Sequence, residues 1–240
     1  MTTLFISDLH LEADRPDIGK QFLNFMERDA QNADDLYILG DLFEAWVGDD
    51  DPNTHYFAIK RALRKLTDSG IPVYFMHGNR DFMVGKDFAN ETGVKILDDP
   101  YKVTMYGQKT LLSHGDYLCT DDVQYQRVRA MVRNPDWQAS MRAKPLKERL
   151  RIAKEARRQS LEQTINKSLD ITDVNQDEVK KAIRDHGVDI LLHGHTHRPA
   201  VHDIDLGHRK AKRIVLGDWY TQGSLVRWDT RGPKLEALPR

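Results

Sequence analysis

The chain predicts an α/β fold, on three observations. Short apolar, partly β-branched runs recur at Leu4-Phe5-Ile6, Leu36-Tyr37-Ile38-Leu39, Val73-Tyr74-Phe75-Met76, Thr110-Leu111-Leu112 and Ile190-Leu191-Leu192, and such runs read as buried strands. Between the first three lie stretches with helical spacing, Phe22, Phe25 and Met26 before the second strand and Ile59, Leu63 and Leu66 before the third. Each run gives way to a Gly or a turn bearing Asp, Asn or His: Asp8-Leu9-His10, Gly40-Asp41, Gly78-Asn79-Arg80-Asp81, Ser113-His114-Gly115 and Gly194-His195-Thr196-His197. Sheets built from alternating strands and helices bind ligands at the carboxyl ends of their strands. The clusters, distant in sequence, are therefore expected to converge on one sheet edge.

Taken in order, the clusters suggest metal chemistry. Asp8 and His10 stand two apart, so at the end of an extended strand both side chains leave one face and can grip one ion. His195 and His197 repeat that spacing. Asp41 has two carboxylate oxygens and can bridge two ions, as two-metal phosphoryl transfer requires. All these donors are oxygen or nitrogen and no cysteine takes part, which suits a hard or borderline divalent metal such as manganese or iron rather than a thiolate-bound zinc. Singly, each cluster reads as an ordinary turn or a capped surface group. Together and in this order, each closing an apolar strand, they read as one site.

Composition bounds the rest. The chain has 240 residues, 40% hydrophobic and 30% charged, enough for one core with an insertion. The apolar runs fall far short of a membrane span, and Met1-Thr2-Thr3 leads into the first strand without a basic n-region, so neither a transmembrane helix nor a signal peptide is expected. The single cysteine, Cys119, makes no internal disulfide; it reads as a small packing residue, and a cytoplasmic location is expected. A net charge of −1 hides an asymmetry: residues 127–167 hold twelve Lys/Arg against four Asp/Glu, which leaves −9 on the remainder.

That basic segment has helical texture. Val128, Met131 and Val132 share one face, as do Leu146, Leu150 and Ala153, then Leu161, Ile165 and Leu169; Pro135 and Pro145 are placed to open new helices. Residues 120–169 are expected to form a helical cap over the metal site, with 1–119 and 170–240 as the core. Most of its charges, including Arg129, Arg142, Lys144 and Lys147, read as a solvated face. Ser160, Thr164 and Lys167 line one helical face, and Arg157 and Lys167 flank its polar positions, which marks them for ligand contact. Strands at 200–204, 213–216, 224–228 and 234–238 are expected to complete a second sheet. His55, His77, His186, His193, His202 and His208 lack partners at ligand spacing and are assigned no function.

The motif order Asp-x-His, Gly-Asp, Gly-Asn-x-Asp, His-Gly, Gly-His-x-His resembles the calcineurin-like metallophosphoesterase superfamily from Asp8 to His197. More narrowly, stretches 5–11, 40–50, 78–82 and 114–122 are similar to the family of UDP-2,3-diacylglucosamine pyrophosphohydrolases of lipid A synthesis, over nearly the whole chain. The resemblance implies a four-layer α/β/β/α sandwich with a helical cap and two Mn2+ ions, other divalent metals being admissible. It implies Asp8, His10, Asp41 and His197 on one ion and Asp41, Asn79, His114 and His195 on the other, with Asp41, Asn79, Arg80, His114 and His195 as the catalytic set. The reaction implied is hydrolysis at the α-phosphorus of an acylated UDP-sugar, giving UMP and 2,3-diacylglucosamine 1-phosphate. Substrate contacts implied are Asn79, Arg80, Asp122, Arg157, Ser160, Thr164, Lys167 and His195.

An acylated substrate needs apolar walls, for which Trp46, Phe82, Met83, Trp137 and Met141 are candidates. A cap basic outside and apolar inside suits peripheral docking on the anionic cytoplasmic face of the inner membrane. Nucleic acid is not an expected partner, because Trp137 alone is too little aromatic surface in the basic segment; no obligate protein partner is evident.

The chain departs from the superfamily at Arg80, where the usual pattern has His. A guanidinium does not donate a proton at neutral pH, but it pairs with phosphate oxygens and stabilises developing charge. The change favours a leaving group that needs no proton, such as a phosphate, whose second pKa is roughly 6. An outer ion pair is the competing role for Arg80. The competing functions are another dinuclear-metal phosphodiesterase or phosphatase and a non-catalytic scaffold, the latter disfavoured because every ligand is present.

Overall fold

A computed structural model describes residues 1–165, 171–207 and 209–240, apart from the side chains of 163–165. Thr164 as a side chain, Ile165, Lys167, Leu169 and His208 thus lie outside the described positions.

The chain opens with β1 (Thr3–Ile6), α1 (Pro16–Arg28), β2 (Asp35–Ile38), α2 (Phe57–Asp68), β3 (Val73–Met76), α3 (Lys86–Thr92) and β4 (Lys95–Leu97). β5 (Tyr101–Met105) and β6 (Gln108–Ser113) follow, then three helices, α4 (Val123–Val132), α5 (Pro135–Arg142) and α6 (Leu146–Ile165). α7 (Gln176–His186), β7 (Ile190–His193), β8 (Ala200–Asp205), β9 (Lys210–Val215), β10 (Gly223–Asp229) and β11 (Gly232–Leu238) complete it. One sheet runs β11-β10-β1-β2-β3-β4 and the other β5-β6-β7-β9-β8. Strands β1 to β4 are mutually parallel, as are β6, β7 and β9.

Alternation along the strands builds the layers. Leu4, Ile6, Leu36, Ile38, Val73 and Phe75 face one way, onto Ile18, Phe22 and Phe25 of α1, Ile59 and Leu63 of α2 and Phe88 of α3. Phe5, Tyr37, Leu39 and Met76 face the other way, onto Leu112, Ile190, Leu192 and Ile214 of the second sheet. On that sheet's far side, Leu111 and Leu191 meet Val179 and Ile183 of α7. A period of two thus feeds three apolar spaces between four layers, α/β/β/α.

Two expectations need correction. The four late strands do not all join the second sheet: β8 and β9 do, but β10 pairs antiparallel with β1, and β11 with β10. Apolar content locates such strands without saying which sheet they join; β10, an interior strand, is buried along most of its length rather than alternately. In the 120–169 segment the helices form where expected, with Pro135 first in α5, yet Val128, Met131, Leu150 and Leu161 are exposed. Their apolar stripes are not core. The segment's apolar packing onto the core comes from Met141, Trp137 and Ile152.

Phe75→Ala removes a side chain with no exposed surface whose ring lies 6.0 Å from that of Phe88, and is expected to cost about 3–5 kcal/mol in urea unfolding. Val128→Ser, at an exposed position, is expected to change stability by less than about 0.5 kcal/mol.

Candidate metal centre

The strand ends carry an unusual backbone. Asp8, His10, Asp41, His195 and His197 have φ of 57°, 52°, 52°, 65° and 56°; among the described residues the one other non-glycine with positive φ is Tyr106. Each such residue costs of order 1–3 kcal/mol and persists only where its surroundings over-determine it. Here the segments after β1 and β2 hold one another: Asp8 N donates to Gly40 O at 3.1 Å, His10 N to Asp41 O at 3.0 Å and Leu11 N to Leu42 O at 2.9 Å. The two-residue spacing of Asp8 and His10 therefore works through left-handed turns beyond the strand, not through strand alternation as expected. Left-handed residues turn the chain sharply enough to aim both side chains at one point.

Close approach accounts for the glycines. A Cβ on Gly78 would lie within the Asp41 carboxylate, and one on Gly194 would overlap Ser7 Oγ and Asp8 Oδ2. Asn79 and His195 can follow these positions only because glycine lets the backbone touch a neighbouring ligand.

All seven expected ligands meet. Asp8, His10 and His197 bring donor atoms within 4.8 Å of one another, and so do Asp8, Asp41 and His114. The His10 and His197 Nε2 atoms are 3.2 Å apart, and Asp41 Oδ2 stands 3.8 Å from both His10 Nε2 and His114 Nε2. His114 Nδ1 donates to Leu39 O at 2.9 Å, which turns Nε2 inward, 2.9 Å from Asn79 Oδ1. His195 Nδ1 lies 2.9 Å from the same Asn79 oxygen, while its backbone N donates to Asp8. Imidazole nitrogens facing one another across two buried carboxylates are the donor chemistry of a divalent cation site, and the residues fit it. Burial acts against a charged His114, yet Asp41 and Asp8 push it up to about 9; burial and the His114 charge push His195 down to about 4. Burial would raise Asp8, but His197, His114 and His10 hold it well below the usual carboxylate range.

Several supporting residues were not singled out from the sequence. Fully buried Asp81 accepts from Gly78 N (2.8 Å), Leu42 N (2.8 Å) and Asp41 N (3.3 Å), pinning two motif loops; burial and the Asp41 charge push it up to about 7. Its signal was the fourth place of Gly-Asn-Arg-Asp. Glu44 lies 2.9 Å from His10 Nδ1, Asp218 lies 3.4 Å from His197 Nδ1, and Tyr220 stacks on His10 at 5.4 Å. These came from loops with no spacing cue. Carboxylates behind ligating imidazoles orient the rings and raise their basicity.

The expected substrate contacts divide. Asn79 and His195 sit at the centre. Arg80 lies half-buried beside it, its backbone N donating to Asp41 at 2.8 Å and its side-chain Nε without a partner among the described residues. Asp122 caps α4 by accepting from Tyr125 N at 3.1 Å. Arg157 reaches Glu44 at 2.5 Å, and Ser160 lies one turn farther along α6. The Thr164 side chain and Lys167 are outside the described residues.

Arg129 is not part of a solvated face: its Nε lies 2.9 Å from Asp116, which is buried and so recruits a cation. Arg142 and Lys147 do face solvent, while the half-buried Lys144 pairs with Glu148 at 2.8 Å. Of the chamber candidates, Trp46, Met83 and Met141 are buried in the core beside α2 and α3, and only Phe82 and Trp137 remain half-exposed, their rings 6.0 Å apart. Trp46 is held there by Phe43 and Tyr56 and by its Nε1 bond to Asp49. Cys119 is buried, its thiol pushed up to about 12 by burial, as suits a packing residue.

A family model for calcineurin-like phosphoesterases matches residues 1–199, and the chain belongs to that family. It is 51% identical over 247 residues, all of both chains, to the UDP-2,3-diacylglucosamine hydrolase of Stenotrophomonas maltophilia. It is 53% identical over 219 residues to that of Chromohalobacter salexigens, covering 91% of this chain and 89% of the relative. Against that of Pseudomonas aeruginosa it is 48% identical over 239 residues, again all of both chains. A solved structure described as a novel archaeal phosphodiesterase aligns with TM-score 0.50 and 15% identity over 99% of this chain and all of its own, a likeness of fold.

Asp81→Ala leaves the backbone donors of Gly78, Leu42 and Asp41 unmatched. Calorimetric titration of the variant with Mn2+ is expected to show affinity reduced about 10–100-fold.

Proposed function

We propose that this protein is a metal-dependent hydrolase that cleaves the pyrophosphate of UDP-2,3-diacylglucosamine by attack of water at the α-phosphorus, releasing UMP and 2,3-diacylglucosamine 1-phosphate. The observation that carries the reading is identity near half with UDP-2,3-diacylglucosamine hydrolases across the full length, helices α4 to α6 included. Asp8, His10, Asp41 and His197 would hold one divalent ion, and Asp41, Asn79, His114 and His195 a second. Asp8 is close to both groups; Asp41 is the better bridge because one of its oxygens stands equally near His10 and His114. Manganese or another divalent metal bound there supplies Lewis acidity at the phosphate and lowers the pKa of water toward neutrality.

The chain's own groups do the rest. Asn79 and His195, one hydrogen-bond length apart, border the space a phosphate would enter. Arg80 pairs with phosphate oxygens and offsets charge on the leaving phosphate, which needs no proton. Residues 120–169 serve as a cap over the core formed by 1–119 and 170–240. Three arginines fasten it to the loops of the centre: Arg133 donates to the carbonyls of His77 and Gly78 at 3.1 and 3.0 Å, Arg149 to Val47 O at 2.7 Å and to Asp50, and Arg157 reaches Glu44. Asp122, Arg157, Ser160, Thr164 and Lys167 form the cap's contribution to the acyl-sugar phosphate.

Among the described residues no helix is long and apolar enough to cross a membrane. The exposed Val123, Val128, Met131, Leu150 and Leu161 lie on the segment that carries the basic excess. This combination favours peripheral docking at the anionic cytoplasmic face of the inner membrane, where apolar and electrostatic contacts add.

Turnover of UDP-2,3-diacylglucosamine is expected to cease with EDTA, return with Mn2+ and be undetectable in Asp41→Ala. Arg80→Ala is expected to lower kcat by about 10²–10³. An unaltered, Mn2+-loaded protein that leaves this substrate intact would contradict the reading.

A further inference from the structure

We propose that a cleft beside His197 is the nucleoside subsite, holding the uridine half of the substrate while the cap side of the centre holds the acylated sugar. The inference rests on the function proposed above and extends it. The cleft has a volume of ≈ 390 Å³ and begins at His197 and Asp218. Pro199 and Leu235 give it apolar surface, and Thr221 and Gln222 give it hydrogen-bonding side chains that have no partner among the described residues. A pyrimidine has flat apolar faces and an edge of acceptor, donor, acceptor, to which a carboxamide and a hydroxyl respond. Asp218 accepts from Tyr220 N at 2.9 Å with one oxygen and stands 3.4 Å from His197 Nδ1 with the other, so a ribose hydroxyl would share a carboxylate already fixed in place. That carboxylate is placed to take a ribose hydroxyl as acidic side chains do in dinucleotide sites.

Position assigns the halves. A pyrophosphate with a bulky group on each end must leave the attacked phosphorus in two directions. The described residues of α4 to α6 reach the centre at Glu44, at Val47 and Asp50, at Phe82 and at His195. No described residue of these helices lines the cleft. The cap side has the half-exposed Phe82 and Trp137. The cleft has Asp218 and Glu236, groups that acyl chains would leave desolvated against hydrocarbon at a cost.

The test uses UMP as the probe, first titrated calorimetrically into the Mn2+-loaded protein and then added as a product inhibitor of UDP-2,3-diacylglucosamine turnover. Two variants are compared: Gln222→Ala, and Ala237→Phe, which places an aromatic at the cleft mouth from an exposed position on edge strand β11, where such residues are well accommodated. Each is expected to weaken UMP binding and inhibition about tenfold, the scale of one well-made hydrogen bond. Inhibition by 2,3-diacylglucosamine 1-phosphate and the melting temperature are expected to stay as in the unaltered protein. UMP affinity unchanged in both variants overturns the subsite, as does an equal loss of affinity for both products. Failure of the unaltered protein to turn over the substrate overturns instead the reading of function on which the subsite rests.

Discussion

Buried negative charge organises this molecule. Asp8, Asp41, Asp81 and Asp116 are all but inaccessible to water at one edge of the sheets, and an uncompensated buried charge costs several kcal/mol. Each is answered in its own way. Asp81 draws in backbone N–H groups from two motif loops and is pushed toward the neutral form. Asp116 takes Arg129 and the Tyr125 hydroxyl. Asp8 accepts from His195 N and Ser7 Oγ, and Asp41 from Arg80 N. For Asp8 and Asp41 the remaining oxygens face imidazoles, an arrangement whose charge a bound divalent metal would balance. The left-handed turns and the glycines at Gly78 and Gly194 follow from the same need, since they let loops from different strands close around these carboxylates.

Much of this was legible in the sequence because local pattern and tertiary role coincide. The parallel strands are buried on both faces and so appear as unbroken apolar runs. The ligands end those runs, so order alone pointed to one edge. Legibility failed where a residue's role depends on a partner chosen by the fold. Arg129 and Arg149 look like any other charge in a basic segment until Asp116 and Asp50 are found opposite them. Trp46, Met83 and Met141 are apolar in either a core or a chamber, and only packing distinguishes the two. The destination of β10 was unreadable for a similar reason, since the residues of a strand do not say which strand it will pair with.

Contacts from α4 and α6 reach the loops of the centre. Arg133 grips the carbonyls of His77 and Gly78, next to Asn79, and Glu44 touches both Arg157 on α6 and His10 at the centre. A displacement of α6 is therefore felt at His10, a proposed metal ligand, through one carboxylate.

The point of attack bears most weight, because it decides which half of the substrate carries the attacked phosphorus and which half departs as the phosphate that Arg80 would stabilise. Hydrolysis of UDP-2,3-diacylglucosamine by the Mn2+-loaded protein in oxygen-18 water, with both products weighed by mass spectrometry, addresses it directly. Label in UMP is the expected result, placing the attack on the α-phosphorus. Label in the 2,3-diacylglucosamine 1-phosphate would contradict it and reverse the roles given to the two sides of the centre.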